Sequence, residues 1–198
     1  MAERARGDAG TPDGARARKG RLTLVLIACA ALAPLVAAYT FYYLLPRSAS
    51  TNYGTLLSVA PAPAIEGTRA DGSAFRLDEL HGKWVVVATS GAKCDASCER
   101  MLYATRQART MQGKDQDRVV RAWLVVGDDA PAQILVAQHP GLIVAHVSAR
   151  ALASFPGGVS SVYIVDPLGN LVLQYPQDPD IKGLARDLSR LLLASQIG

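Results

Sequence analysis

From Leu22 to Leu45 the chain carries no aspartate, glutamate, lysine or arginine. Twenty-four uncharged, mostly apolar residues would form a helix of roughly 36 Å, enough to cross a hydrocarbon core of about 30 Å with some tilt. The same lack of interruption argues against a cleavable signal peptide, whose apolar core runs to about 7–15 residues. The run also closes on Tyr39, Phe41, Tyr42 and Tyr43, which suit an interfacial aromatic belt. An uncleaved anchor is therefore expected, and Pro34 inside it is tolerable in a membrane helix. A second absence concerns charge of one sign. Residues 48–198 hold 14 basic and 14 acidic side chains. The overall charge of +4 thus belongs to the N-terminal part, and no basic patch points to nucleic acid. Cysteine is scarce as well. Of three cysteines, Cys29 falls within the apolar run, where it reads as a small packing residue, so only Cys94 and Cys98 remain for chemistry. No internal repeat is present.

Before the apolar run stand Arg4, Arg6, Arg16, Arg18, Lys19 and Arg21 against Glu3, Asp8 and Asp13; after it the only charge before Glu66 is Arg47. The positive-inside rule then keeps the N-terminus in the cytoplasm and exports the rest. The expected organisation is a disordered basic cytoplasmic tail at 1–21, a transmembrane helix at 22–45, a linker at 46–64 containing Pro61 and Pro63, and one folded domain at 65–198.

Within that domain, Phe75 and Leu77 alternate with polar residues as in a short edge strand. The continuous apolar run at 83–89 and the mostly apolar segments at 119–126 and 142–147 suit strands covered on both faces. Helical patterns fall at 97–112, 131–138, 149–155 and 181–196, and Asp166-Pro-Leu-Gly-Asn170 is a turn between two further strands. Alternating elements that close on a hairpin and a helix predict an α/β fold, a thioredoxin-like three-layer sandwich preceded by one N-terminal transmembrane helix.

Sites in such sheets gather at the carboxyl ends of parallel strands, and Cys94-Asp95-Ala96-Ser97-Cys98 lies just past the end of one. Asp95 or Ser97 could cap the following helix. The helix end would favour a thiolate. The spacing lets two sulfurs form a disulfide or bind one soft metal ion such as Cu(I) or zinc. An inert disulfide closing one turn is the plainer alternative.

Phe75-Arg-Leu-Asp-Glu-Leu-His-Gly-Lys-Trp-Val-Val-Val87 is similar to the first segment of membrane-tethered thioredoxin-like proteins. The Cys-x-x-x-Cys that follows, and Val162-Tyr-Ile-Val-Asp-Pro-Leu-Gly-Asn170, resemble the SCO/SenC family. That family comprises copper chaperones and thiol reductases that assist the binuclear copper centre of cytochrome c oxidase. The resemblance covers about residues 60–195. It implies Cys94 and Cys98 as redox residues and Cu(I) ligands. Of the two, Cys94 is expected to attack and Cys98 to resolve, since Cys94 is nearer the strand end and more exposed. It also implies an oxidase subunit or another assembly factor as partner, no nucleic acid, and a bacterial inner-membrane location with the domain in the periplasm.

Two departures stand out. No histidine lies near Gly158, where the family's copper-binding histidine would fall, and Ser160-Ser161 stand where thioredoxins carry proline. His146, near the end of the third buried strand, is the candidate replacement ligand. His81 reads as a solvated turn residue. His139 reads as a cation suited to a helix C-terminus, and Met101 as core. Asp128-Asp129 reads as a solvated turn, and Asp166 as a turn former. A general periplasmic thiol reductase and a non-catalytic scaffold with a structural disulfide stand as the alternatives.

Overall fold

The computed structural model describes residues 13–44, 52–127 and 131–195. Residues 1–12 of the expected tail, residues 46–51 of the expected linker with Arg47, the Asp128-Asp129 turn and Gln196 lie outside the described residues. Two units are distinct, one within Met1–Ala49 and one spanning Ser50–Gly198. The first is helix α1, Asp13–Leu44, with Pro34 inside it. Its stretch Gly20–Phe41 is long and apolar enough to cross a membrane.

The second unit is an eight-stranded mixed sheet with helices on both faces. In chain order it contains β1 Thr55–Pro61, β2 Glu66–Arg69, β3 Ala74–Arg76, β4 Trp84–Gly91, α2 Ala96–Thr110, β5 Val119–Val126, α3 Gln133–Ala137, β6 Leu142–Val147, α4 Ala149–Leu152, β7 Val162–Val165, β8 Asn170–Tyr175 and α5 Ile181–Ala194. The strand order is β1-β8-β7-β4-β5-β6-β2-β3. Strands β4, β5 and β6 run parallel, and β7 lies antiparallel on the other side of β4. The βαβ unit β4–α2–β5, followed by the β7–β8 hairpin and α5, is the thioredoxin-like arrangement expected from the sequence.

Strand β4 shows why its sequence is apolar without a break from Trp84 to Ala88. Val86 and Ala88 enter a core shared with Met101, Leu102, Trp123, Leu184 and Leu188, so α2 and α5 cover that face. Val85 and Val87 enter the opposite core with Phe75, Leu124, Leu152, Phe155 and Tyr163. A strand buried on both faces has no use for alternation. Each fully buried aliphatic side chain contributes about 1.5–3 kcal/mol relative to exposure.

Three features depart from the expectations. Thr55–Pro61, placed by its composition in the linker, is an edge strand paired antiparallel to β8. Most of its residues are exposed, so no apolar alternation betrayed it; its backbone pairing holds it. The start of this strand is pinned by Asp187, only 1% exposed, whose carboxylate accepts from Gly54 N–H at 2.8 Å and from the Tyr175 hydroxyl at 3.2 Å. Desolvation, with Asp187 beside it, pushes the Tyr175 hydroxyl pKa upward. Secondly, Glu66–Arg69 forms a strand between β6 and β3. Gly67 is needed there, since a Cβ would lie 2.2 Å from the His146 carbonyl oxygen.

The third departure is His139. It is 4% exposed, and burial, reinforced by Arg121 and Arg106, lowers its pKa from 6.5 to about 4. It is therefore neutral at pH 7 rather than a cation on a helix end. Arg121 is itself 2% exposed. One guanidinium nitrogen donates to Pro140 O at 2.9 Å, while Nε and Nη1 find no partner. Burial, followed by the nearby Arg109 and Arg106, lowers its pKa to about 10, so it stays charged. A buried guanidinium with no carboxylate loses hydration that its contacts do not replace.

Arg121→Met is accordingly expected to stabilise the domain by about 1–3 kcal/mol, seen as a higher urea midpoint at unchanged slope. His139 binds a proton more readily unfolded than folded. Stability should therefore fall as pH drops from 6.5 towards about 4. His139→Gln should flatten that part of the pH profile, measured by urea unfolding at several pH values.

Candidate functional site

Strand β4 ends at Gly91, and the next residues lead directly into α2. Ala92 N–H donates to Val126 O at 2.9 Å, which ties this loop to the C-terminal end of β5. Cys94 therefore sits where two parallel strands finish. Asp95 follows with extended backbone, and its carboxylate accepts from Cys98 N–H at 2.9 Å. Glu99 N–H donates to the Asp95 carbonyl oxygen, also at 2.9 Å. Asp95 is thus the N-cap of α2, as its residue type and position suggested, and Cys98 lies in the first turn of the helix.

This cap brings Cys94 and Cys98 together. They form a disulfide, with Cα atoms 5.2 Å apart, inside the usual range for such a bridge. The two sulfurs occupy different environments. Cys98 is 2% exposed and belongs to the core under α2, whereas Cys94 is only partly buried, packed against the edge of that core.

Two residues beneath Cys98 went unremarked in the sequence. Ser90 Oγ lies 3.5 Å from Cys98 Sγ. Trp123 Nε1–H donates to that same oxygen at 2.7 Å, and the Ser90 hydroxyl donates to Gly91 O at 3.0 Å. Both residues are buried. The one sequence signal was a polar residue at the end of an apolar strand, two positions after Ala88 and so on its face. The trio became visible only through the pairing of β4 with β5, in which Trp123 stands opposite Ala88.

Thr89 ties the neighbouring loop to β4. Its Oγ1 accepts from Ser161 N–H at 3.1 Å, and its backbone exchanges hydrogen bonds of 3.0 Å with Ser160 and Ser161. Ser160 is held at a positive φ of 69°, a conformation that non-glycine residues adopt at some cost. Ser160-Ser161 thus lead into β7 beside the end of β4, the strand that precedes the cysteines.

The other candidates are placed as follows. His146 ends β6 on the same sheet edge, with Nδ1 3.3 Å from Gly127 O. Among the described residues no three His, Cys, Asp or Glu side chains converge to hold a metal, so His146 does not join Cys94 and Cys98 in a three-ligand group. Met101 is fully buried core. His81 is exposed but lies against the hairpin turn, where a Cβ on Gly169 would meet its ring at 2.2 Å. Asp166 does form that turn, accepting from Leu168 N–H and Asn170 N–H at 2.9 and 2.7 Å.

Comparison with known proteins agrees with this architecture. No curated protein matches the chain by sequence. Among solved structures, ScoI of Arabidopsis thaliana with copper bound superposes with a TM-score of 0.58 at 18% identity, covering 69% of this chain and 100% of that one. Apo Sco1 of Thermus thermophilus gives 0.56 at 23% identity, over 75% of this chain and 99% of that one. The thioredoxin domain of a thiol-disulfide oxidoreductase from Bacteroides vulgatus gives 0.51 at 17%, over 69% and 99%. At these identities the likeness is one of fold, and it includes the SCO/SenC type. Residues 84–195, from the first residue of β4 to just beyond α5, match the model of a described family. The chain belongs to the transmembrane-like, thioredoxin-like C-terminal domain family.

Proposed function

We propose that this is a membrane-anchored thiol-disulfide exchange protein whose reduced Cys94–Cys98 pair also carries Cu(I) as cargo. The observation that carries the reading is the asymmetry of the pair: one sulfur is within reach of a partner and the other is sealed in the core. In the reduced form, the Cys94 thiolate attacks a partner disulfide. A partner thiolate leaves and a mixed disulfide remains. The Cys98 thiolate then attacks the Cys94 sulfur, releasing the second partner thiolate and closing the bridge seen here. The helix N-terminus favours the thiolate form, while the Asp95 carboxylate at the same end opposes it.

The copper part of the reading rests on two soft sulfurs brought together at one helix end, and on the fold shared with copper-bound Sco structures. The wider context follows from the family resemblance. The tail at 1–21 lies in the cytoplasm, the span at 22–45 crosses the bacterial inner membrane, and the domain works in the periplasm. Its partner there is a cytochrome c oxidase subunit or assembly factor awaiting copper. An exchange role without copper stands as the second reading, favoured by the absence of a third converging ligand among the described residues.

The test uses the full chain in detergent micelles. Equilibration with glutathione should give a reduction potential between about −270 and −120 mV, the span of known exchange proteins. A value below about −300 mV would instead mark the bridge as structural. After reduction, alkylation at mildly acidic pH should label Cys94 before Cys98. Cu(I) titration should show one tight equivalent, abolished by Cys94→Ser, and no binding would remove copper while leaving exchange in place. Asp95→Asn keeps the cap but removes its charge, so Cys94 should label at lower pH than in the parent protein.

A further inference from the structure

The buried end of the disulfide faces a hydroxyl that has been given a choice of acceptors. Ser90 Oγ receives the Trp123 Nε1–H at 2.7 Å, which fixes the oxygen and occupies one lone pair. Its own proton has two acceptors within reach: Gly91 O at 3.0 Å and Cys98 Sγ at 3.5 Å. In the closed bridge, Cys98 Sγ is a neutral, weak acceptor, and the carbonyl wins. When the bridge opens, Cys98 becomes a thiolate that is almost wholly shut off from water, and the order of the two acceptors reverses. Rotation about a single C–O bond is enough to bring the proton across, with no movement of the backbone.

We propose that Ser90, held by Trp123, is the positioning residue that stabilises the Cys98 thiolate during disulfide exchange. The inference rests on the exchange reading above and extends it to the sulfur that solvent cannot serve. In the reductive half-reaction, an incoming thiolate attacks the Cys94 sulfur. The Cys94–Cys98 bond breaks, and its electron pair goes to Cys98 Sγ as leaving group. The Ser90 hydroxyl turns from Gly91 O to donate to that sulfur, which afterwards takes up a proton from solvent if the pH requires it. In the opposite direction the same hydrogen bond keeps Cys98 deprotonated and ready to attack the mixed disulfide on Cys94.

The arrangement also explains two sequence choices. A hydroxyl at the end of an otherwise apolar strand would be a liability under α2 unless it were fully bonded, and here it is. Tryptophan at position 123 is the aromatic residue able to donate from its ring into that oxygen while its remaining surface fills the core, where it is fully buried.

The experiment measures dithiothreitol reduction of the full chain in micelles, together with the thiol pKa of each cysteine. Cys98 is titrated in a Cys94→Ala background and Cys94 in a Cys98→Ala background, by thiolate ultraviolet absorbance. Ser90→Ala should slow reduction about tenfold and raise the Cys98 pKa by about one unit, the size of a charge-assisted hydrogen bond. The Cys94 pKa should not move. Ser90→Thr, which keeps the hydroxyl, should restore both values. Ser90→Ala leaves the Trp123 N–H unpaired, so the double variant S90A/W123F supplies a folded control and should react as slowly as Ser90→Ala. A folded Ser90→Ala or S90A/W123F protein that is reduced at the parent rate with an unchanged Cys98 pKa overturns the assignment while leaving exchange intact. A parent disulfide that resists dithiothreitol altogether overturns the exchange reading and this inference together.

Discussion

The hydrogen bond from Cys98 N–H to the Asp95 carboxylate is the contact on which the arrangement turns. It starts α2 at a defined residue, and so it fixes which way the first helical turn presents its side chains. With Asp95 as the cap, Cys98 points down into the core and Cys94 remains outside the helix at its mouth. The loop itself cannot drift, because Ala92 is tied to the end of β5. Strand β4 behind it is buried on both faces at the middle of the sheet. The pair of cysteines is thereby held by a strand buried at the middle of the sheet.

The interior is not uniformly apolar, and its polar groups are treated differently. Ser90 is fully bonded and sits against a sulfur. Asp187 ties the first strand to the last helix through Gly54 and Tyr175, with one oxygen left unpaired. Arg121 keeps a charge with one good hydrogen bond and two idle donors. The first group lies beside the Cys94–Cys98 disulfide, and the second closes the fold. The third is a buried charge with two donors unmet, and it adds to the burial that lowers the His139 pKa. Burial of a polar atom is thus no single signal. Its partners decide whether it serves chemistry, topology or neither.

Much of the fold was legible because its strands are buried on both faces. The segments at 83–89, 119–126 and 142–147 announced themselves by their mostly apolar sequence, and the Asp166 turn by its residue types. Strand β1 was not legible. It lies at the sheet edge with most side chains in solvent, so only its backbone pairing to β8 defines it, and pairing leaves no periodic mark. His139 was misread for a related reason. Its sequence neighbours describe a helix end, while its charge state is set first by burial and then by Arg121 and Arg106, which come from other elements.

By itself the sequence determined the uncharged run able to span a membrane, the alternation of buried strands with helices, the spacing of Cys94 and Cys98 and the two candidates for the cap between them. All are properties of neighbouring residues, governed by local backbone geometry and solvent preference. The tertiary structure alone decided which sulfur is sealed and which is reachable, and that Ser90 and Trp123 meet beneath Cys98. Those outcomes depend on strand order and register. They bring together residues far apart in the chain, and no local pattern encodes that meeting.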